Sequence, residues 1–479
     1  MMSALKLHTL KQKLWAIVAA SFIARVVMFF ALPNTPSPLA PDEGTYARVA
    51  ITTFDNTLQF ESEFYNNVYQ ISQSLIIPAQ FFIIIGADAI SAVRLVSSIY
   101  GFLTLFAVAY LSSKLLQSDK LGVKGNKKVE RLVVTLFVIY AFLPSHFVWS
   151  NLGLRESPNE FWLILTFIGV FLLYREGQPR KLLLAVLVST SIICTFGSRP
   201  QVGWVLVVTL LIYSIFKLRN KLTFLLISSV LTGLFAGYLT TTSFAFVTSD
   251  LYVAKDAAPT PTKDAAPTPV NSGEINASKL CDGTKLKVEY EGKIFNCVKS
   301  GTVTRRERAS NLAEVAIDQV EVIPGKQIVN QVGAASMIQR LACPWDESSE
   351  IGKYSCLAFR APYMTLTFLF RPLPFIDTTS LSSIFAATEN VFWILMFVLI
   401  VFRISKVKRI PLLNELAPAL IFFSLYVVGA GSYEGNMGTA FRHKTLILGV
   451  PLLLIFALFW HRDSQTKDSR RNNSQESAV

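Results

Sequence analysis

The sequence predicts an all-α protein that crosses a membrane many times. Of its 479 residues, 52% are hydrophobic and only 16% are charged, and the mean hydropathy is +0.44. This composition excludes an ordinary water-soluble globule. The formal net charge of +13 lies mostly in short segments between apolar runs, where it signals membrane topology rather than nucleic-acid binding. We therefore expect a lipid bilayer as a partner and no nucleic acid.

Ten apolar runs are long enough to form membrane-spanning helices, each of which needs about 20 residues. They fall near residues 14–32, 91–113, 131–149, 158–174, 182–198, 201–216, 222–243, 384–402, 411–430 and 445–460. If the N-terminus is cytoplasmic, the positive-inside rule is obeyed, because the inside segments are then the basic ones: 114–131, 175–181, 217–221, 403–409 and 462–471. The run 71–86 is short and contains Pro78, so we expect a helix at the outer membrane surface rather than an eleventh span.

This topology divides the chain into four parts. Residues 1–243 form an N-terminal membrane module with an acidic outer loop at 33–90. An extracytoplasmic segment at 244–383 follows, and its Pro- and Ala-rich repeat KDAAPTPTKDAAPTP predicts a linker over 255–270. Residues 384–461 contain the C-terminal transmembrane helices, and 462–479 form a disordered cytoplasmic tail.

The outer segment 244–383 holds four of the five cysteines. An even set of cysteines on the non-cytoplasmic side predicts disulfides in a small stapled lobe. The simplest pairing joins Cys281 to Cys297 and Cys343 to Cys356, although three connectivities are open.

Ionisable residues gather at the predicted outer ends of the spans. They are Asp42, Glu43, Arg94, His146, Arg155, Glu156, Arg199, Arg371, Glu434, Arg442 and His443. Together with Lys444, the last two form a basic cluster on an outer loop, against the positive-inside trend. Because the arginine fork matches phosphate oxygens, this distribution predicts a polar cavity that binds something anionic.

Several of these residues also have a purely structural interpretation. Pro41 followed by Asp42 and Glu43 is what an ordinary helix start looks like. Arg155 and Glu156 could form a loop ion pair. Arg199 could snorkel to the interface. His146 is more often a satisfied interfacial histidine than a metal ligand.

Two segments of the N-terminal half resemble a known family. The stretch ADAISAVRLVSSIYGFLTLFAVAYLSSKLL at 87–116, preceded by the acidic pair and the surface helix, resembles the early part of the GT-C type glycosyltransferases that use polyprenyl-phosphate sugars. Those include the protein O-mannosyltransferases and the aminoarabinose transferase of lipid A. The segment FLPSHFVWSNLGLRESPNEFWLILTFIGVFLLYREG at 142–177 is similar to their third and fourth spans. The resemblance covers roughly the first 220 residues.

The C-terminal half resembles the family less. The motifs LFRPLPF, ATENVFW and EGNMGTAFRHK at 369–375, 387–393 and 434–444 are similar to those of bacterial membrane proteins described as family-39-like glycosyltransferases or as polysaccharide polymerases. The turn at Arg155 and Glu156 departs from many relatives, which have an aspartate there.

The resemblance implies a GT-C-like bundle with an outward-facing cavity fed by a polyprenyl-phosphate sugar donor. On that pattern, Asp42 is the general base that deprotonates an acceptor hydroxyl, and Glu43 orients this base or a cation. The donor phosphate would be bound by Arg442, His443, Lys444, Arg199, Arg155 and Arg371, supported by Tyr46, Arg94, His146, Glu156 and Glu434. Some such enzymes use a divalent cation, Mg or Mn, but no metal-ligand spacing is present here and the metal is left unassigned.

Two other functions are consistent with parts of this pattern. A polymerase or ligase of lipid-diphosphate-linked oligosaccharides would rely on the outer-loop arginines. A transporter or flippase would place ionisable groups at mid-membrane. Here the ionisable residues gather at one membrane face instead, and Arg25 is the main exception. We expect a multi-pass protein of a bacterial plasma membrane with an extracytoplasmic active site, acting on a glycan, lipid or protein acceptor.

Overall fold

The computed structural model describes residues 10–37, 40, 42–54, 68–116, 127–174, 180–242, 287–290, 293–296, 350–373, 381–405, 413–433, 437–447, 449–455 and 458. The chain divides into two compact units. One comprises Met1–Thr242 with Asp318–Val479, and the other Ser243–Ile317.

The regular secondary structure described in the first unit is helical. Its N-terminal part contains α1 (Leu10–Ala31), α2 (Asp42–Phe54), α3 (Gln73–Ile84), α4 (Ala89–Leu116), α5 (Lys127–Phe142), α6 (Pro144–Phe147), α7 (Glu156–Tyr174), α8 (Lys181–Phe196), α9 (Pro200–Phe216) and α10 (Leu222–Thr242). Its C-terminal part contains α11 (Glu350–Phe370), α12 (Leu381–Ile404), α13 (Leu413–Tyr433), α14 (Met437–His443) and a 3₁₀ turn (Lys444–Ile447), with further helical residues at 449–455.

Proline sets several helix boundaries. The predicted span 131–149 is divided, because Leu143 precedes Pro144 and adopts an extended conformation. The helix α5 therefore stops at Phe142, and α6 starts again with Pro144 at its first position. In the same way Pro200 begins α9, directly after Arg199 at the N-cap position. Both breaks lie near site residues described below.

Within the described residues, four helices are long and apolar enough to cross a membrane: Leu10–Ala31, Ala89–Tyr110, Glu156–Tyr174 and Ala386–Ile404. Six shorter apolar helices accompany them, among them α3, α8 and α9. Large apolar side chains such as Phe30, Phe216 and Phe224 are exposed, as they are on a surface that faces lipid. The protein therefore has membrane character, and the count of ten spans stays a prediction. At 12 residues, α3 is shorter than a span requires.

The outer-loop helix α2 is anchored by apolar packing. Tyr46, Ala47 and Val49 of α2 share a buried cluster with residues of α3 and the start of α4. Trp149 and Phe441 belong to the same cluster. The C-terminal residue Phe441 thus packs with the N-terminal segment that carries the acidic pair.

In the described part of the second unit, two short strands pair. They are β1 (Lys287–Tyr290) and β2 (Lys293–Asn296), antiparallel with Lys287 opposite Asn296 and Tyr290 opposite Lys293. The all-α prediction did not include this hairpin, although the alternating polar and apolar residues of β1 are typical of a strand. Of the predicted disulfide cysteines, Cys281, Cys297 and Cys343 lie outside the described residues, and only the helical backbone of Cys356 is described.

Candidate active site

Asp42 and Glu43 occupy the first turn of α2, so the helix-start interpretation describes their backbone correctly. The Glu43 N–H donates to the Ala40 carbonyl at 3.0 Å. Acidic side chains here also face the positive end of the helix dipole. The two carboxylates nevertheless have different partners, and this separates their roles.

The Glu43 carboxylate is 0% exposed and accepts four hydrogen bonds. Arg94 of α4 donates from Nε to Oε1 at 2.6 Å and from Nη2 to Oε2 at 2.7 Å, a two-point fork. The backbone N–H groups of Ser37 and Gly153 donate at 2.9 Å and 2.8 Å. Because both oxygens are engaged, this contact, which we call the Glu43–Arg94 clamp, makes Glu43 a positioning residue.

The clamp joins segments that are distant in sequence. Arg94 also donates to the carbonyls of Pro33 and Thr35, at 2.6 Å and 2.8 Å. Gly153 approaches α4 so closely that a Cβ atom there would lie 2.5 Å from Val93 Cγ2 and 3.2 Å from Arg94 N. The segment before α2, α2 itself, α4 and the turn before α7 are thus tied to one another beside Asp42.

Asp42 contacts a residue of the C-terminal part of the chain. Its Oδ2 accepts a hydrogen bond of 2.8 Å from Arg442 Nη1 on α14. The Asp42 side chain is 49% exposed, whereas that of Arg442 is 14% exposed. Asp42 is therefore the accessible member of the acidic pair. The sequence alone predicted Asp42 and Arg442 for one site, and the structure brings these two residues into contact.

A second ion pair lies next to the first. Glu156, at the start of α7, accepts from Arg199 Nη2 through Oε1, and both side chains are largely buried. Glu156 also interacts electrostatically with Arg442, His443 and Arg155. Arg199 is thus paired inside the protein rather than snorkelling, and the partner of Glu156 is Arg199 instead of the neighbouring Arg155.

Arg155 and Tyr46 complete this group, which we call the outer polar cluster: Asp42, Tyr46, Arg155, Glu156, Arg199, Arg442 and His443. Arg155 Nη1 donates to the Ile71 carbonyl at 3.2 Å, while its buried Nε has no hydrogen-bond partner in the part of the chain that the structure describes. Burial lowers the pKa of Arg155 and raises the pKa of Tyr46. Three guanidinium groups face two carboxylates here, so the cluster favours an added anion.

Arg442 interacts with both carboxylates of the cluster, Glu156 and Asp42. Burial alone would lower its pKa, but Glu156 and Asp42 outweigh this effect and raise the pKa of Arg442 above its ordinary value. His443 is buried beside it, and its backbone carbonyl accepts from the Tyr426 hydroxyl at 3.4 Å. This end of α14 is therefore fixed against α13.

Lys444 has contacts inside the bundle. Its Nζ donates to the Arg371 carbonyl at 2.7 Å and to Asn390 Oδ1 at 3.0 Å. Burial lowers the pKa of Lys444 to about 7, against an opposing effect of Glu389. Glu389 itself accepts from Ser145 N at 2.6 Å. The assignment of Lys444 and Arg371 to the donor phosphate stays a prediction.

His146 belongs to a further buried polar group. Its Nδ1 lies 2.9 Å from Glu160 Oε2, and Tyr140 donates its hydroxyl to Glu160 Oε1 at 2.7 Å. The Tyr140 and His146 rings stack with their centroids 4.7 Å apart. Arg25, the ionisable residue that lies within a predicted span rather than at its outer end, donates to Ser150 Oγ at 3.2 Å. Its mid-helix position is thus explained by polar contacts within the bundle.

Sequence inspection missed Glu160, Glu389 and Asn390. A usable signal existed, because polar and ionisable residues inside apolar runs of a membrane protein usually face the bundle interior. Glu434 lies outside the described residues. Among the residues that are described, no group of three or more His, Cys, Asp or Glu side chains is placed to hold a metal ion.

The chain matches no known protein-family model, and no curated protein or solved structure is similar to it. Its function is therefore inferred from the chemistry of the outer polar cluster.

Proposed function

We propose that the protein is a membrane glycosyltransferase that moves a sugar from a polyprenyl-phosphate donor to an acceptor hydroxyl on the extracytoplasmic face. The observation that carries the proposal is the contact between Asp42 and Arg442 beside the Glu156–Arg199 pair. The half-exposed carboxylate of Asp42 is suited to accept a proton. It lies beside several guanidinium groups, which are suited to hold a phosphate.

The arginines supply the binding site for the leaving group. Each guanidinium has five N–H donors, so Arg442 can hold Asp42 through Nη1 and still donate to a phosphate oxygen. Arg155 keeps a buried Nε without a hydrogen-bond partner. Donors fixed before the reaction stabilise the negative charge that develops on the departing phosphate. Arg442, Arg199 and Arg155 serve this purpose.

The proposed transfer is a single displacement. The acceptor hydroxyl gives its proton to Asp42 while its oxygen forms a bond to the anomeric carbon of the sugar. The bond between that carbon and the phosphate oxygen breaks, and polyprenyl phosphate leaves with the electron pair, which inverts the anomeric configuration. Asp42 later releases the proton to water. The Glu43–Arg94 clamp holds the first turn of α2, and thereby Asp42, in place.

An assay of sugar transfer tests the role of Asp42. Purified protein in nanodiscs would be incubated with a labelled polyprenyl-phosphate hexose and a cell-envelope extract that supplies acceptors. We expect Asp42→Asn to lower the release of polyprenyl phosphate by at least about 100-fold, in line with the usual contribution of a general base. Donor binding should be retained, because the arginines are intact.

Asp88→Asn is the matched control. Asp88 precedes α4, and its Oδ1 accepts from Ser91 N at 2.9 Å outside the cluster. It should leave transfer unchanged. If Asp42→Asn kept near-normal turnover, Asp42 would not be the base. Turnover only with a diphosphate-linked oligosaccharide would favour a polymerase or ligase instead.

A further inference from the structure

Buried polar atoms without a hydrogen-bond partner are concentrated in α6, α7 and the turn between them. In this part of the described chain they include Ser145 Oγ, His146 Nε2, Trp149 Nε1, Arg155 Nε, Glu156 Oε2 and both amide atoms of Asn159. Such atoms are rare in native structures, and each calls for a physical explanation. A polar ligand received by this segment would supply the missing partners.

Asn159 is the clearest member of this set. Three asparagines, Asn151, Asn159 and Asn390, are 0% exposed. Asn151 donates to the Phe147 carbonyl and accepts from Ser98, and Asn390 donates to the Pro372 carbonyl and accepts from Lys444. Among the described residues, the side-chain amide of Asn159 alone of the three has neither a donor nor an acceptor partner.

Asn159 lies beside the outer polar cluster. It follows Glu156 by three residues on α7, a spacing that places two side chains on one helix face about 5–6 Å apart at Cβ. Glu156 Oε1 holds Arg199, while its Oε2 is unpartnered. Trp149 packs edge-on against Phe441, next to Arg442, with ring centroids 6.3 Å apart. The helix α7 also contacts the 3₁₀ turn after α14.

The chemistry of these groups selects a neutral ligand rich in hydroxyls. The amide of Asn159 offers both donors and an acceptor, and Glu156 Oε2 is an acceptor. A phosphate oxygen placed against Glu156 Oε2 would be repelled, whereas a sugar hydroxyl can donate to that oxygen and a neighbouring hydroxyl can bind the amide. We propose that Asn159 and Glu156 form the subsite for the sugar ring of the donor, with Asn159 as a residue that determines sugar specificity. This inference rests on the proposed glycosyl transfer.

The stability of two alanine variants gives the first test. Because the Asn159 amide makes no hydrogen bond within the protein, Asn159→Ala should leave the melting temperature of the ligand-free protein nearly unchanged. The matched variant Asn151→Ala removes two hydrogen bonds and should lower it clearly. Equal losses in the two variants would mean that Asn159 is a structural amide, and would overturn the subsite.

Binding in nanodiscs gives the second test, with two probes: a polyprenyl phosphate, and the same lipid carrying a hexose. Wild type should bind the hexose-bearing probe more tightly. Asn159→Ala should lose about tenfold of that affinity, as expected for one hydrogen bond of ordinary strength, and should bind the sugar-free lipid as before. A variant that keeps the full sugar-dependent gain would overturn the subsite alone. If wild type bound neither probe, the proposed function itself would fail, and the subsite with it.

Discussion

Removing the charge of Glu43 should destabilise the protein far more than removing the charge of an exposed carboxylate. In Glu43→Gln, the fork from Arg94 loses its ionic partner while both side chains stay buried, at 0% and 2% exposure. Breaking a buried ion pair from one side costs about 3–5 kcal/mol, because the remaining charge has no compensation. The backbone N–H groups of Ser37 and Gly153 would also meet an amide that accepts fewer hydrogen bonds.

The chain offers a matched control in the pair Lys13 and Glu130. Their contact of 2.7 Å is as short as the clamp, but the side chains are 35% and 26% exposed. Exposed pairs of this kind contribute about 0.2–1 kcal/mol. Glu130→Gln should therefore lower stability by no more than a third of the loss in Glu43→Gln.

Thermal unfolding in one detergent, followed by tryptophan fluorescence, compares the two variants directly. A double variant, Glu43→Gln with Arg94→Gln, should recover part of the loss, because it removes the stranded charge. Equal melting temperatures for Glu43→Gln and Glu130→Gln would refute the clamp.

Two further predictions concern packing and pH. Gly153→Ala should lower both stability and sugar transfer, because the added Cβ would lie 2.5 Å from Val93 Cγ2. Gly429→Ala is the control and should be neutral, because nothing lies within 4 Å of a Cβ at that position. Equal melting temperatures for the two variants would contradict the close approach at Gly153. Burial lowers the pKa of Lys444 in the folded protein to about 7, from 10.5. Between pH 7 and 10.5 the unfolded chain therefore binds more protons than the folded one. The free energy of unfolding should rise over this range by about 1.4 kcal/mol per pH unit. Lys444→Met should remove this rise, and an unchanged pH slope in the variant would show that the buried lysine is not its source.

Most helix positions were predictable because each depends on a local apolar run. The division of the span 131–149 was harder to foresee. Pro144 lies within an apolar stretch, and whether a proline kinks a membrane helix or ends it depends on the groups that satisfy the freed backbone. Here Leu143 becomes extended and the helix restarts.

The site was predictable as a set of residues but not as a set of pairs. The position of charges at the outer ends of spans pointed to Asp42, Arg199 and Arg442. It could not tell that Asp42 contacts Arg442, 400 residues away, or that Glu43 is held by Arg94, because long-range partners depend on how helices pack. The separate roles of two adjacent carboxylates follow only from those partners.

The most direct test of the proposed site is the affinity of the purified protein for a polyprenyl monophosphate in nanodiscs. Arg442→Ala should weaken binding about ten- to a hundredfold, the factor that corresponds to one charge-assisted hydrogen bond. Arg48→Ala, which removes an exposed arginine from the same helix as Asp42, should leave the affinity unchanged. Equal affinities for wild type and Arg442→Ala would contradict the account.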